Sequence, residues 1–174
     1  MSPMSPILAL TLHPEWAWAI THLGKDAENR SERFAREIAK RVGGGWLAIH
    51  AGVKRSADFA AVAAMSGLPY DVLDYDDVDL EDAVGPVWQF GATGGTGGVL
   101  IEDARLTRGA IVALAKIGDV LLPGARAPWR LTFSAALALS PVVVLAEPIP
   151  CKGKQGLWTP APDIQERLRA ALEK

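Results

Sequence analysis

His13–Arg30, HPEWAWAITHLGKDAENR, is the stretch from which the rest of this chain is read. Pro14 suits the first position of a helix, where its missing N–H has no helical partner to lose. A helix running to His22 puts Trp16, Ile20 and Leu23 on one face. Gly24 is its natural stop, because glycine accepts a left-handed backbone without steric penalty. Lys25, Asp26, Glu28, Asn29 and Arg30 come directly after it. A compact set of cations, carboxylates and an amide, anchored by a helix that must bury its other face, is how a polar site is built at the edge of a core. Lys25–Arg30 itself reads as a turn or a short strand.

Outward from this stretch the elements alternate. Ile7–Leu12, ILALTL, is a short apolar run that reads as a buried strand. Ser31 is placed to cap a second helix, Glu32–Val42, in which Phe34, Ile38 and Val42 share a face. Gly43-Gly44-Gly45 ends it, and Trp46–Ala51, WLAIHA, reads as a second buried strand. Ser56 is a candidate cap for a helix over Asp58–Met65, stopped by Gly67, and the acidic DVLDYDDVDLED reads as a surface segment with some helix. Phe90–Gly98, FGATGGTGG, matches neither the P-loop pattern nor the dinucleotide-binding one and reads as a linker. Val99–Glu102, Arg108–Leu122 and the valine-rich Val142–Ala146 read as strands. Pro148, Pro150, Gly153 and Gly156 break the next segment into a loop, CKGKQGLW, and Asp163–Leu172 forms an amphipathic terminal helix. Helices concentrate in the first third and strands in the rest, so the expected class is α+β.

The 174 residues suffice for one domain with a sizeable core: 49% are hydrophobic and 22% charged. The expectation is a flexible N-terminus over residues 1–6 and a single domain over 7–174. A net charge of -2 gives no general attraction to polyanions. The charge is unevenly spread, however. Asp71–Asp103 contains nine acidic residues and no basic one, whereas Arg105–Trp158 carries seven basic residues against Asp119 and Glu147. One part could present a basic surface; the plainer reading is solvated faces of opposite sign. A single cysteine, Cys151, excludes an internal disulfide and a Cys-rich zinc site, and the histidines show no metal-ligand spacing. No metal and no cofactor is expected. MSPMSPILAL lacks the basic start of a signal peptide, and Phe133–Ala146 is too short and too interrupted to span a bilayer. These features predict a cytoplasmic protein with no membrane partner.

Lys25 is the first candidate for chemistry. Desolvated, its neutral amine would serve as a general base or nucleophile; beside Glu28 it is instead a fixed cation for a phosphate or carbonyl oxygen. Arg30 offers a planar fork of donors for a phosphate or a base edge. The plain alternative is that Lys25, Glu28 and Arg30 satisfy one another as an ion network. Trp158, with Lys152, Lys154 and Gln155, forms a basic-aromatic loop suited to base stacking, and Trp129 between Arg126 and Arg130 is a second such grouping. Trp16 and Trp18 lie two apart on a helix, so one packs in the core and the other can face a cleft. His50, at the end of a buried strand, reads as a core histidine. Cys151 has a lysine neighbour able to lower its pKa but reads as incidental.

KDAENR resembles the G-x-K-x-x-E-x-R signature of the ASCH family in the PUA-like superfamily, with Lys25, Glu28 and Arg30 in the matching positions. The glycine slot falls on Leu23, with Gly24 one residue later. PEWAWAI, LAIHA, RGAIVA and EPIPCKGKQGLW resemble further segments of that family in the right order, spread over about nine-tenths of the chain. The resemblance implies a small mixed β-barrel with helices packed on its outside and a cleft beside the signature. Superfamily members bind RNA or read modified bases. Some small ASCH proteins hydrolyse the amide of acetylated cytidine, and ribonuclease activity is ascribed to others. In the deacetylating members a threonine stands where this chain has Glu28. The expectation is therefore RNA or nucleobase binding through Lys25, Glu28 and Arg30, with Trp18, Asn29, Lys152, Lys154, Gln155 and Trp158 as ligand contacts. The alternative is a hydrolase of the same fold acting on a modified nucleoside or on RNA, with Lys25, Glu28 and Arg30 as its catalytic residues.

Overall fold

The computed structural model describes residues 5–54, 106–124 and 129–173. The helix at 58–65, the acidic segment, the glycine-rich stretch, the strand at 99–102 and Arg126 lie outside them. In chain order the described elements are β1 (Leu8–Leu12), α1 (Pro14–His22), β2 (Ala27–Arg30), α2 (Glu32–Val42), β3 (Trp46–Ala51), β4 (Ala110–Leu121), β5 (Ala135–Pro150), β6 (Leu157–Trp158) and α3 (Pro162–Leu172). The fold is mixed α+β: a six-stranded sheet in the order β2-β5-β4-β3-β1-β6, curled into a half-barrel. β1 runs parallel to β3, with Thr11 opposite His50, and the other pairings among the described residues are antiparallel.

The apolar runs form strands because both faces of the sheet are covered, which removes the need for polar alternation. Leu8, Leu10 and Leu12 of β1 and Leu47, Ile49 and Ala51 of β3 join Ala17 and Ile20 of α1 and Ala35 and Ile38 of α2 in one core. The intervening Ala9 and Ala48 face a second core with Ile111, Leu114, Ile149 and Trp158, closed by Ile164 and Leu168 of α3. Successive strand residues point to opposite faces, so β1, β3, β4 and β5 feed both cores. Register shifts between β4 and β5 at Ile111/Ala113, Ala115/Ile117 and Ile117/Val120 bend these two long strands, and bulges of this kind curl a sheet.

β5 is much longer than the valine-rich run Val142–Ala146 suggests, because its prolines do not interrupt it. Only Ala135–Ala138 pair with β2. Beyond them β4 is the strand partner of β5 among the described residues, which leaves Pro148 and Pro150 on a strand with one side unpaired by those residues. Ser31 caps α2, accepting from Phe34 N at 3.4 Å, and Gly43 ends it at φ 60°. Among the described residues no helix is long and apolar enough to cross a membrane.

Candidate functional site

α1 ends in a tight reversal. Gly24 takes φ 66°, and the amides of Leu23 and Lys25 both return to Ala19 O, at 3.0 and 3.1 Å. This fold-back carries the Lys25 side chain into the protein, where it is 1% exposed. Its ammonium donates to Glu28 Oε2 at 2.7 Å and to the carbonyl of Ala27, and it lies 5.7 Å from the centre of the Trp16 ring. Glu28 is also buried, and its second oxygen receives Arg30 Nη2 at 3.1 Å. Arg30 is partly exposed and lies over Phe34 at 6.0 Å. Its Nε–H is shielded from water with no acceptor among the described residues. Lys25, Glu28 and Arg30 thus form one continuous chain of charges. The Lys25 Nζ is engaged inside the protein by a carboxylate and a carbonyl.

Two clefts lie near these charges, and none of Lys25, Glu28 and Arg30 lines either. The first has a volume of about 210 Å³ and lies between α1 and the sheet, lined by Trp18, Thr21, His22, Thr107, Val144 and Leu145 among others. Trp18 and His22 stack across one helical turn, with ring centres 5.0 Å apart and planes at 14°. The Thr21 hydroxyl lies 2.7 Å from His22 Nδ1 and 3.0 Å from Trp18 O. Desolvation lowers the His22 pKa, partly opposed by the Trp18 carbonyl that faces the ring. Trp18 is thus the tryptophan of α1 that faces a cleft, while Trp16 packs on the core. Sequence reasoning does not single out Thr21 and His22 for this role. The signal is present in the i, i+4 spacing of Trp18 and His22, which puts the two rings one above the other on a helix.

The other candidates are dispersed. Asn29 uses both ends of its amide on a distant turn: Nδ2 donates to Trp129 O at 2.8 Å, and Oδ1 accepts from Leu131 N at 2.9 Å. Lys152, Lys154 and Gln155 are exposed on the loop before β6. Trp158 points inward instead, 7% exposed, donating from Nε1 to Thr11 Oγ1 at 3.1 Å and meeting His50 edge-on at 5.6 Å. His50 is 1% exposed. Its Nε2 donates to Cys151 O at 3.0 Å, and its Nδ1 is buried with no partner among the described residues, so only half of this core histidine is satisfied. Burial pushes the Cys151 thiol up, the opposite direction to that expected from its lysine neighbour.

No family model matches this chain, and no curated protein matches it.

Proposed function

We propose that this chain is a PUA-like protein of the ASCH type that binds RNA or a nucleobase, with the base entering the cleft beside Trp18. The observation that carries this reading is the cleft itself: a mostly apolar hollow of about 210 Å³ whose wall is an indole stacked on an imidazole, with Thr21 and Thr107 as its polar groups. Flat heteroaromatic ligands are held in such sites by stacking plus a few hydrogen bonds. The buried charges of Lys25, Glu28 and Arg30 adjoin the same helix end, and the exposed Lys152 and Lys154 supply cations for a phosphate backbone. The order of the segments resembling the ASCH family supports the same class.

The test is binding of a short single-stranded RNA to wild type and His22→Ala at several salt concentrations. His22 is exposed, so its removal spares the core. Stacking of a base contributes about 1–3 kcal/mol, so the variant should bind on the order of tenfold more weakly. Affinity should also fall with salt as phosphates are neutralised. Binding that ignores both the substitution and the salt would reject the reading.

A second reading, an amidohydrolase acting on acetylated cytidine, draws on the buried Lys25–Glu28 pair as an acid–base couple. The pair's engagement with Ala27 O and its absence from both cleft walls favour binding over catalysis. Mass spectrometry of acetylated cytidine after incubation with wild type and Lys25→Ala separates the two, since product made only by wild type would establish the enzyme.

A further inference from the structure

The second cleft, of about 340 Å³, opens between the start of β2, the end of β4, the middle of β5 and the turn at Trp129–Arg130. Its volume is in the range of small-molecule sites, roughly 300–1,000 Å³. Asp26 and Arg130 both line it, yet they form no ion pair with each other. The Asp26 side chain is exposed and makes no hydrogen bond to any described residue. Arg130 donates one Nη2 hydrogen to Leu122 O at 2.6 Å, while its Nε–H is shielded from water without an acceptor among the described residues.

The turn that carries Arg130 is held under strain. Trp129 sits at φ 62°, a left-handed conformation that a bulky residue adopts only at a cost of about 1–3 kcal/mol. Asn29 grips the carbonyl of Trp129 and the amide of Leu131 from across the sheet edge, and so fixes the turn in this form. The effect is to set the indole, 4% exposed, into the cleft wall with Arg130 beside it.

We propose that this cleft is a second subsite, separate from the one beside Trp18, that takes a guanine nucleotide, an inference that rests on the nucleobase-binding reading above. A carboxylate such as Asp26 only accepts hydrogen bonds. Guanine presents two adjacent donors, N1–H and N2–H, on its pairing edge, which no other common base does, and one carboxylate accepts both. Trp129 supplies an apolar wall for the base. The Arg130 Nη hydrogens not given to Leu122 O are left to donate to a phosphate.

The test uses the full chain and isothermal titration with guanosine, guanosine 5′-monophosphate, inosine 5′-monophosphate and adenosine 5′-monophosphate. The guanine nucleotide should bind most tightly. Inosine monophosphate, which lacks the N2 amino group, should bind on the order of tenfold more weakly, the usual scale of one lost base contact. Asp26→Asn should erase that preference. Arg130→Gln should weaken the monophosphate and leave guanosine unchanged. Asp26 is exposed, so its variant tests the proposal even if Arg130→Gln fails to fold. Nucleotide binding that depends on His22 but ignores Asp26 and Arg130 would overturn the guanine subsite and leave the broader reading standing. No binding of any nucleotide or RNA by wild type would overturn both.

Discussion

Gly153 lies directly on His50: a methyl group added at Gly153 would come within 2.6 Å of His50 Nδ1 and 2.9 Å of Thr11 Oγ1. Neither contact is with the end of a long flexible chain. The imidazole is held by Cys151 O, and the Thr11 hydroxyl by Trp158 Nε1. Gly153→Ala therefore has to push the loop off the sheet, and overpacking of this kind costs about 1–3 kcal/mol. Urea unfolding should show that loss for Gly153→Ala and a change within about 0.5 kcal/mol for Lys152→Ala on the exposed neighbour. Equal stability of the two variants would mean that the loop yields freely.

The same imidazole predicts an acid-side loss of stability. Burial lowers the His50 pKa below the ordinary 6.5, with the Cys151 carbonyl opposing in part. The native state then binds fewer protons than the unfolded chain in the window between the lowered value and 6.5. The contribution of neutral His50 is thus complete above that window and is lost as pH falls through it. His22 is lowered too and acts with the same sign. Melting temperature should fall from about pH 7 to about pH 5, and His50→Gln, whose amide N–H still reaches a carbonyl, should flatten the fall. An unchanged slope in that variant would assign the acid sensitivity elsewhere.

The parts of the fold legible in the sequence are those set by local rules. The apolar runs of β1 and β3, the Ser31 and Gly43 caps of α2 and the glycine stop after α1 are each set by a few neighbouring residues. The contact of Lys25 with Glu28 is likewise within reach, three residues apart. β5 is not, because its prolines read as breaks until its second half is seen, among the described residues, to pair with β4 alone. Nor is the aim of Trp158: a two-residue strand has no period from which to read a face, and the pairing of Ala9 with Trp158 decides it. Asn29 and Trp129 are bonded across 100 residues of chain, a relation that no spacing encodes.

The Lys25–Glu28 pair should behave as a buried ion pair. With side chains 1% and 9% exposed, removing one charge strands the other away from water. Lys25→Met alone should destabilise by about 3–5 kcal/mol, and Glu28→Gln should cost less because the amide still accepts a hydrogen bond. The double variant Lys25→Met, Glu28→Leu should recover much of the loss, since well-packed apolar residues often replace such pairs without penalty. Arg30, left without its carboxylate, limits the recovery. Denaturant midpoints of wild type and these three variants measure this, and a double variant no better than Lys25→Met would show that the network is held by Arg30 as much as by Lys25.

The strained turn offers the sharpest separation of cause from consequence. Asn29→Ala removes both amide bonds that hold Trp129 left-handed, leaving Trp129 O and Leu131 N to find other partners. That should cost about 2 kcal/mol or more. Trp129→Gly forfeits a buried indole but relieves the backbone, because glycine takes φ 62° without penalty. In the Asn29→Ala background the turn is free to relax, so glycine has less strain left to relieve. The two substitutions should therefore couple by about 0.5–3 kcal/mol in a double-mutant cycle. Simple additivity would mean that Asn29 and Trp129 act independently, and that the left-handed turn is maintained by the packing of the indole alone.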